Sequence, residues 1–399
     1  MIPALRKAFN EAFSQSQYEA FLADLNHLHP GAIEFRIAET PIFVPLAFNR
    51  KMIDTCEQIV DLIIEPGFIS LTDRSIPAAD FVPGKSANTH FIAFDFGVCL
   101  NLNGELEPQL IEMQGFPTLF GFQVYYPELL RKYFPIPVNF SHYLGNYNKE
   151  SYLAELKAVI LGATPVENTI LLELKPHEQK TRIDFYCTQD YLGIQPVCIR
   201  DLIQEGKKIF YTHAATGRKT QVLRIYNRII FDDMHAQKES LGGIVDIRQD
   251  LDVTWIPHPN WFYRISKYTL PYLHHPYVPK TYFLDQVKSL PVDLEHYVLK
   301  PLYSFAGQGV VIDVQRSDIE KVSDPQNWIL QQKVTYADVI ETPDGGAKAE
   351  FRIMYMWKDG EPRPRPAINL ARLSKGKMIG VRYNQDKSWV GGSVCYIER

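Results

Sequence analysis

The stretch FDFGVCLNLNGELEPQLIEMQ, residues 94–114, sets the pair Asn103–Gly104 between two short apolar runs. Asn-Gly is the strongest short hairpin signal, because both central residues of a type I′ turn need φ > 0. A two-residue turn there makes Leu102 face Glu105. Counting back along both strands then puts Asp95 opposite Glu112. Two carboxylates directly across a hairpin repel. A divalent cation between them would remove that cost; equally, Pro108 could shift the register, or both side chains could face water. Hard oxygen ligands suit Mg²⁺, and Gln114, on the same strand face as Glu112, offers an amide oxygen to complete the set. With no cation, one carboxylate of the pair is expected to hold its proton more tightly than a free one. Asp95→Asn is then expected to be neutral or slightly stabilising.

At 399 residues the chain is long enough for more than one domain or lobe, and 46% hydrophobic residues suffice for packed cores. A net charge of −4 gives no general pull toward nucleic acid or anionic lipid, so any anion site must be local. The five cysteines (Cys56, Cys99, Cys187, Cys198 and Cys395) are scattered without a CxxC pair, which suits a reducing compartment. No apolar run is long enough to cross a bilayer. The opening MIPALRKAFNEAF reads as an amphipathic helix rather than a signal core. The expectation is a cytoplasmic protein with no membrane partner.

Helical spacing marks residues 1–30 and 50–64, YPELLRKYF and ESYLAELKAVILGA. A small α/β unit is expected over roughly 167–245, with TILLELK as a buried strand and a helix ending at Gly193. Further on, HYVLKPLYSFAGQGVVIDV (296–314) reads as a strand ending in Lys300–Pro301, a loop with Gly307 and Gly309, and a second strand. Such a loop can fold over a polyphosphate, since glycines let backbone N–H groups approach oxygens closely; an ordinary hairpin with a surface lysine fits equally. WILQQKV, 328–334, is a strand whose backbone could meet an adenine edge, or a plain core strand. Glu350 and Arg352 share a strand face, Arg372 and Ser374 follow on another strand, and Asn384 precedes Gly391–Gly392. Each arginine alone is commonly a solvated charge, but several after a glycine loop can cradle a triphosphate.

In this order the pieces resemble the ATP-grasp superfamily, with the final carboxylate and E-x-N strand moved to the front as Asp95 and Glu112–Gln114. That is a circular permutation similar to the synthetase domain of glutathionylspermidine synthetase; LIEMQGFPTLFGF and VLRIYNRIIFDD carry the likeness further. The resemblance implies an α/β (α+β) ATP-grasp fold. Residues 1–84 would be an N-terminal helical region and 85–166 the permuted segment. A pre-ATP-grasp-like α/β domain would span 167–250, and the nucleotide-binding domain 251–399. It implies ATP and Mg²⁺, the metal held by Asp95, Glu112 and Gln114. Lys267 and Lys300 would meet the phosphates under a loop with Ser304, Gly307, Gln308 and Gly309. Gln331, Gln332, Lys333 and Val334 would hold adenine, with Asn384 also on the nucleotide side. Arg352 and Arg372 would stabilise an acyl phosphate. The implied activity is amide-bond formation between a small-molecule carboxylate and an amine. Three departures are visible: Gln114 for the usual Asn, Glu350 for the usual Asp, and GFPTL for ADTPTSL. The first two leave room for a nucleotide-binding protein without ligase activity, in a regulatory or scaffold role; the third bears on the glutathione and polyamine preference. A nucleic-acid binder using LARLSKGKMIGVR is disfavoured by the net charge.

Overall fold

Period-two alternation decides the centre of the molecule. The structure, a computed structural model, describes residues 1–399 except 85, 237–242, 304–307, 377–378, 380–383 and 385. Its main sheet runs Gly391–Ser393, Arg365–Ser374, Gly345–Met356, Phe91–Leu100, Leu106–Gln114, antiparallel throughout, with Ile340–Thr342 paired beside Gly345–Met356. The hairpin and the late strands therefore share one sheet. Ile92, Phe94, Phe96 and Val98 point to one face with Phe351, Ile353 and Tyr355. That face packs on Phe48, Met52, Cys56 and Ile59 of the helix Leu46–Ile64. Each such side chain fully buried contributes about 1.5–3 kcal/mol. Asp95 and Gly97 alternate onto the other face.

The hairpin turn differs from expectation. Leu100 pairs with Leu106, and Asn101 N–H donates to the Glu105 carbonyl at 2.9 Å. The loop is therefore Leu102–Gly104, longer than a type I′ turn, and within it only Gly104 has positive φ (+77°). The cause is Asn101, whose side-chain oxygen accepts from the N–H groups of Asn103 and Glu105, each at 2.9 Å. This slips the register by one residue. A bulge at Ile111 slips it back: Phe96 faces Leu110, but Asp95 faces Glu112. The two displacements cancel, and the expected carboxylate pair stands.

A second sheet is parallel, in the order Thr254–Ile256, Arg224–Asn227, Thr169–Glu173, Gln195–Cys198. The helix Arg182–Leu192 crosses between its last two strands and ends at Gly193, φ +79°. Thr254–Ile256 extends this unit just past residue 250. A third sheet, antiparallel, carries Thr281–Phe283, Trp328–Gln332, Tyr297–Pro301 and Val311–Ile312. The strand–glycine loop–strand unit is thus present, while Ser304 and Gly307 lie outside the described residues. The N-terminal region, for which the sequence offered no role, is structural on two sides. Ile42–Val44 pairs in parallel with Cys395–Glu398, and Phe9, Tyr18, Phe21 and Leu25 pack against the helix Phe122–Tyr133. Among the described residues no helix is long and apolar enough to cross a membrane.

Candidate functional site

The polar face of the main sheet, the Lys300 strand and the segment around Phe262–Lys267 enclose a cavity of about 680 Å³. Asp95, Glu112, Gln114, Lys267, Lys300, Gln331, Gln332, Lys333, Val334 and Arg372 all line it. These residues span most of the sequence, and only the sheet pairings bring them together.

Asp95 is buried and clamped. Arg352, its cross-strand neighbour, donates Nε at 2.7 Å and Nη2 at 2.6 Å to its two carboxylate oxygens. Arg372 adds Nη2 at 2.8 Å. Burial alone would push the Asp95 pKa up, but the two guanidiniums outweigh it and hold the carboxyl below its ordinary range. The expectation of a proton-hungry hairpin pair is therefore corrected for Asp95. The carboxylate that does hold its proton more tightly is Glu350, pushed up by burial and by the nearby Asp95 and Glu112 charges against the pull of Arg372. Glu350 forms an ion pair with Arg372 Nη2 at 3.0 Å and accepts from the Tyr336 hydroxyl. Burial works against the Arg372 charge, but Asp95 and Glu350 outweigh it and raise its pKa.

Glu112 and Gln114 differ from Asp95. Their side chains make no hydrogen bond or ion pair among the described residues, and both line the cavity. Among the described residues no group of three or more His, Cys, Asp or Glu side chains is arranged to hold a metal. The expected set is thus divided: Glu112 and Gln114 present available hard oxygens of the kind magnesium accepts, while Asp95 is engaged by arginine.

The facing wall carries two cations. Lys300 donates to the Gln331 side-chain oxygen at 2.5 Å and to the Ile111 carbonyl at 3.3 Å. Burial, reinforced by Lys267 and opposed by Glu112, lowers its pKa to about 8. Lys267 donates to the carbonyls of Pro301 and Leu302 at 3.0 and 3.4 Å, and burial lowers its pKa as well. Gln331 also donates to Thr281 at 3.1 Å, which fixes its amide toward Lys300. Lys333 is bonded to Asp313 at 2.5 Å and to the Glu295 carbonyl at 3.0 Å.

Four of the expected residues that the structure describes do not line the cavity. Arg352 sits behind Asp95. Asn384 is buried at the turn after the Arg372 strand, bonded with Ser374 and accepting from the Lys375 N–H at 2.9 Å. Gln308 and Gly309 are exposed, and Gly309 has φ +73°. Conversely, sequence reasoning passed over Tyr336, Arg228 and Thr118, which line the cavity. Tyr336 had one signal, Gly97, a lone glycine in an apolar strand that marks a close approach. A Cβ there would meet the Tyr336 ring at 2.7 Å. Arg228 is buried, its guanidinium 4.6 Å from the Phe116 ring centroid and bonded to the Pro117 carbonyl at 2.8 Å. Thr118 is held by Asp184, which also accepts from the N–H groups of Leu119, Gly121 and Phe122.

No family model and no curated relative matches this sequence. Among solved structures, the chain is similar to a glutathione synthetase-like effector from Globodera pallida in its apo form. The two share 10% identity and a TM-score of 0.58, over 96% of this chain and 97% of that one. At that identity the likeness is one of fold: this chain has a mixed α/β fold similar to that of the effector along nearly its whole length.

Proposed function

We propose that this protein is an ATP-dependent carboxylate–amine ligase of circularly permuted ATP-grasp type. The observation that carries the reading is the meeting, in one cavity, of the buried Lys267, the half-buried Lys300 and the 331–334 segment with Glu112, Gln114 and Arg372. In this reading the carboxylate oxygen attacks the γ-phosphorus of ATP and ADP leaves. The amine nitrogen then attacks the acyl carbon, loses a proton, and phosphate departs. Much of the work is positioning and charge neutralisation. Lys300 and Lys267 bind phosphate oxygens; burial lowers the pKa of both, and an incoming anion opposes that shift. Arg372, oriented by Asp95 and Glu350, meets the transferring group. The backbone at 331–334 receives adenine. A magnesium ion bound by Glu112 and Gln114 would supply further neutralisation of the phosphates.

The test is direct. Mg-ATP should raise the melting temperature, since a ligand bound only to the folded state adds about 2.7 kcal/mol at a hundred times Kd. Lys300→Ala should remove most of that shift, and ADP should form only when a carboxylate is added. A second reading, nucleotide binding without ligation, is favoured by the engagement of Asp95 with both arginines. A melting shift with no carboxylate-dependent ADP would select it.

A further inference from the structure

One stretch of the cavity wall is not accounted for by nucleotide or phosphate. Phe116, Phe262, Tyr263 and Tyr303 line it in a connected run, with ring centroids at 6.0 Å for Phe116–Phe262, 5.0 Å for Phe262–Tyr263 and 5.8 Å for Tyr263–Tyr303. Ile230 lines the same cavity. The polar tips of this wall are engaged within the protein. The Tyr263 hydroxyl donates to Asp80 at 2.8 Å, and the Tyr303 hydroxyl donates to the Ser75 carbonyl at 2.9 Å. What remains for a ligand is ring carbon. Of the charged groups at the wall, the two that line the cavity are cations, Arg228 over Phe116 and Lys267, which bonds the carbonyl of Leu302 next to Tyr303; Asp80, bonded to the Tyr263 hydroxyl, does not line it. Aromatic faces alone could attract an ammonium, but two neighbouring cations oppose one.

We propose that this aromatic wall seats an apolar or aromatic side chain of the carboxylate substrate; the inference rests on the ligase reading of the same cavity. The amine is disfavoured here by charge. A compact polar carboxylate is disfavoured because its polar groups would lose water against ring carbon without gaining partners. The signal was absent from the sequence, since Phe116, Phe262 and Tyr303 come from three separate segments and follow no shared motif.

The test is equilibrium binding by calorimetry to the full chain loaded with Mg²⁺ and a non-hydrolysable ATP analogue. The probes are 3-phenylpropionate, 4-methylpentanoate and succinate. The first two should bind at least about tenfold more tightly than succinate, the scale on which an apolar pocket discriminates. Phe262→Ser and Tyr303→Ser should erase the difference. Tyr303→Phe, which loses only the bond to Ser75, should keep it. Succinate binding as tightly as the apolar acids would overturn the proposal. So would an undiminished preference in both serine variants. The wild-type panel and Tyr303→Phe decide the matter even if the serine variants do not fold. Turnover is read separately, with hydroxylamine trapping an acyl phosphate as a hydroxamate and releasing phosphate. Apolar acids that bind tightly but give neither ADP nor hydroxamate would leave the apolar seat standing and overturn the ligase reading.

Discussion

The two carboxylates of the hairpin face each other, yet they live in different worlds. Asp95 is buried under two guanidiniums that use both its oxygens. Glu112, directly opposite, has no side-chain partner among the described residues and lines the cavity with Gln114 and the lysines. One half of the site is therefore complete without a ligand, and the other half is not. Charges satisfied by the protein serve mainly to hold the sheet and aim Arg372. Charges left toward the cavity are the ones available to bind.

Four experiments test this contrast. The largest effect is expected from Asp95→Asn. Removing one partner of a buried ion pair commonly costs about 3–5 kcal/mol, and here it strands Arg352 and leaves Arg372 with Glu350 alone; urea unfolding would measure it. The sign is opposite to the sequence expectation of a neutral or stabilising change. The Asp95 pKa is lowered in the folded state, so its contribution is present above the ordinary carboxylate range and is lost as pH falls through the lowered value. Wild type should weaken more on acidification than Asp95→Asn does, and equal acid sensitivity would mean that Asp95 is not clamped.

Next is Lys300. Its folded pKa of about 8 lies below the ordinary 10.5, so between those values the unfolded chain binds more protons. Stability from this group therefore rises with pH across that window, by up to about 1.4 kcal/mol for each pH unit. Lys300→Met should flatten that slope. Binding of Mg-ATP near pH 8 should take up protons, seen as a buffer-dependent enthalpy, and no such dependence would place Lys300 away from the phosphates. Third, Gly97→Ala should cost about 1–3 kcal/mol through overpacking against Tyr336. A neutral result would show that the ring can withdraw from Glu350 freely. The smallest stability effect belongs to Glu112→Gln, within about 0.5 kcal/mol in the apo protein. The same variant should lose the magnesium-dependent part of the nucleotide melting shift; a shift identical to wild type would remove Glu112 from the binding half.

Legible in the residues themselves were the pairing of Asp95 with Glu112, the strand–glycine loop–strand at Lys300, a strand within 328–334, which forms over Trp328–Gln332, and the helix closed by Gly193. Those are local matters: alternation, turn residues and glycine at a left-handed cap are written within a few residues of where they act. Even there, one neighbour was enough to change the turn, since the Asn101 side chain lengthened the loop and the bulge at Ile111 restored the register. Tertiary structure alone decided that Arg352 would bind Asp95 rather than face a ligand, that Asn384 would support a turn, and that Tyr336, Arg228 and an aromatic wall would line the cavity. It also gave the N-terminal region its place, with Ile42–Val44 beside the last strand and the helix Leu46–Ile64 beneath the sheet. The physical reason is that charge neutralisation and burial depend on which side chains meet across hundreds of residues. Periodicity cannot register that until the sheet has formed.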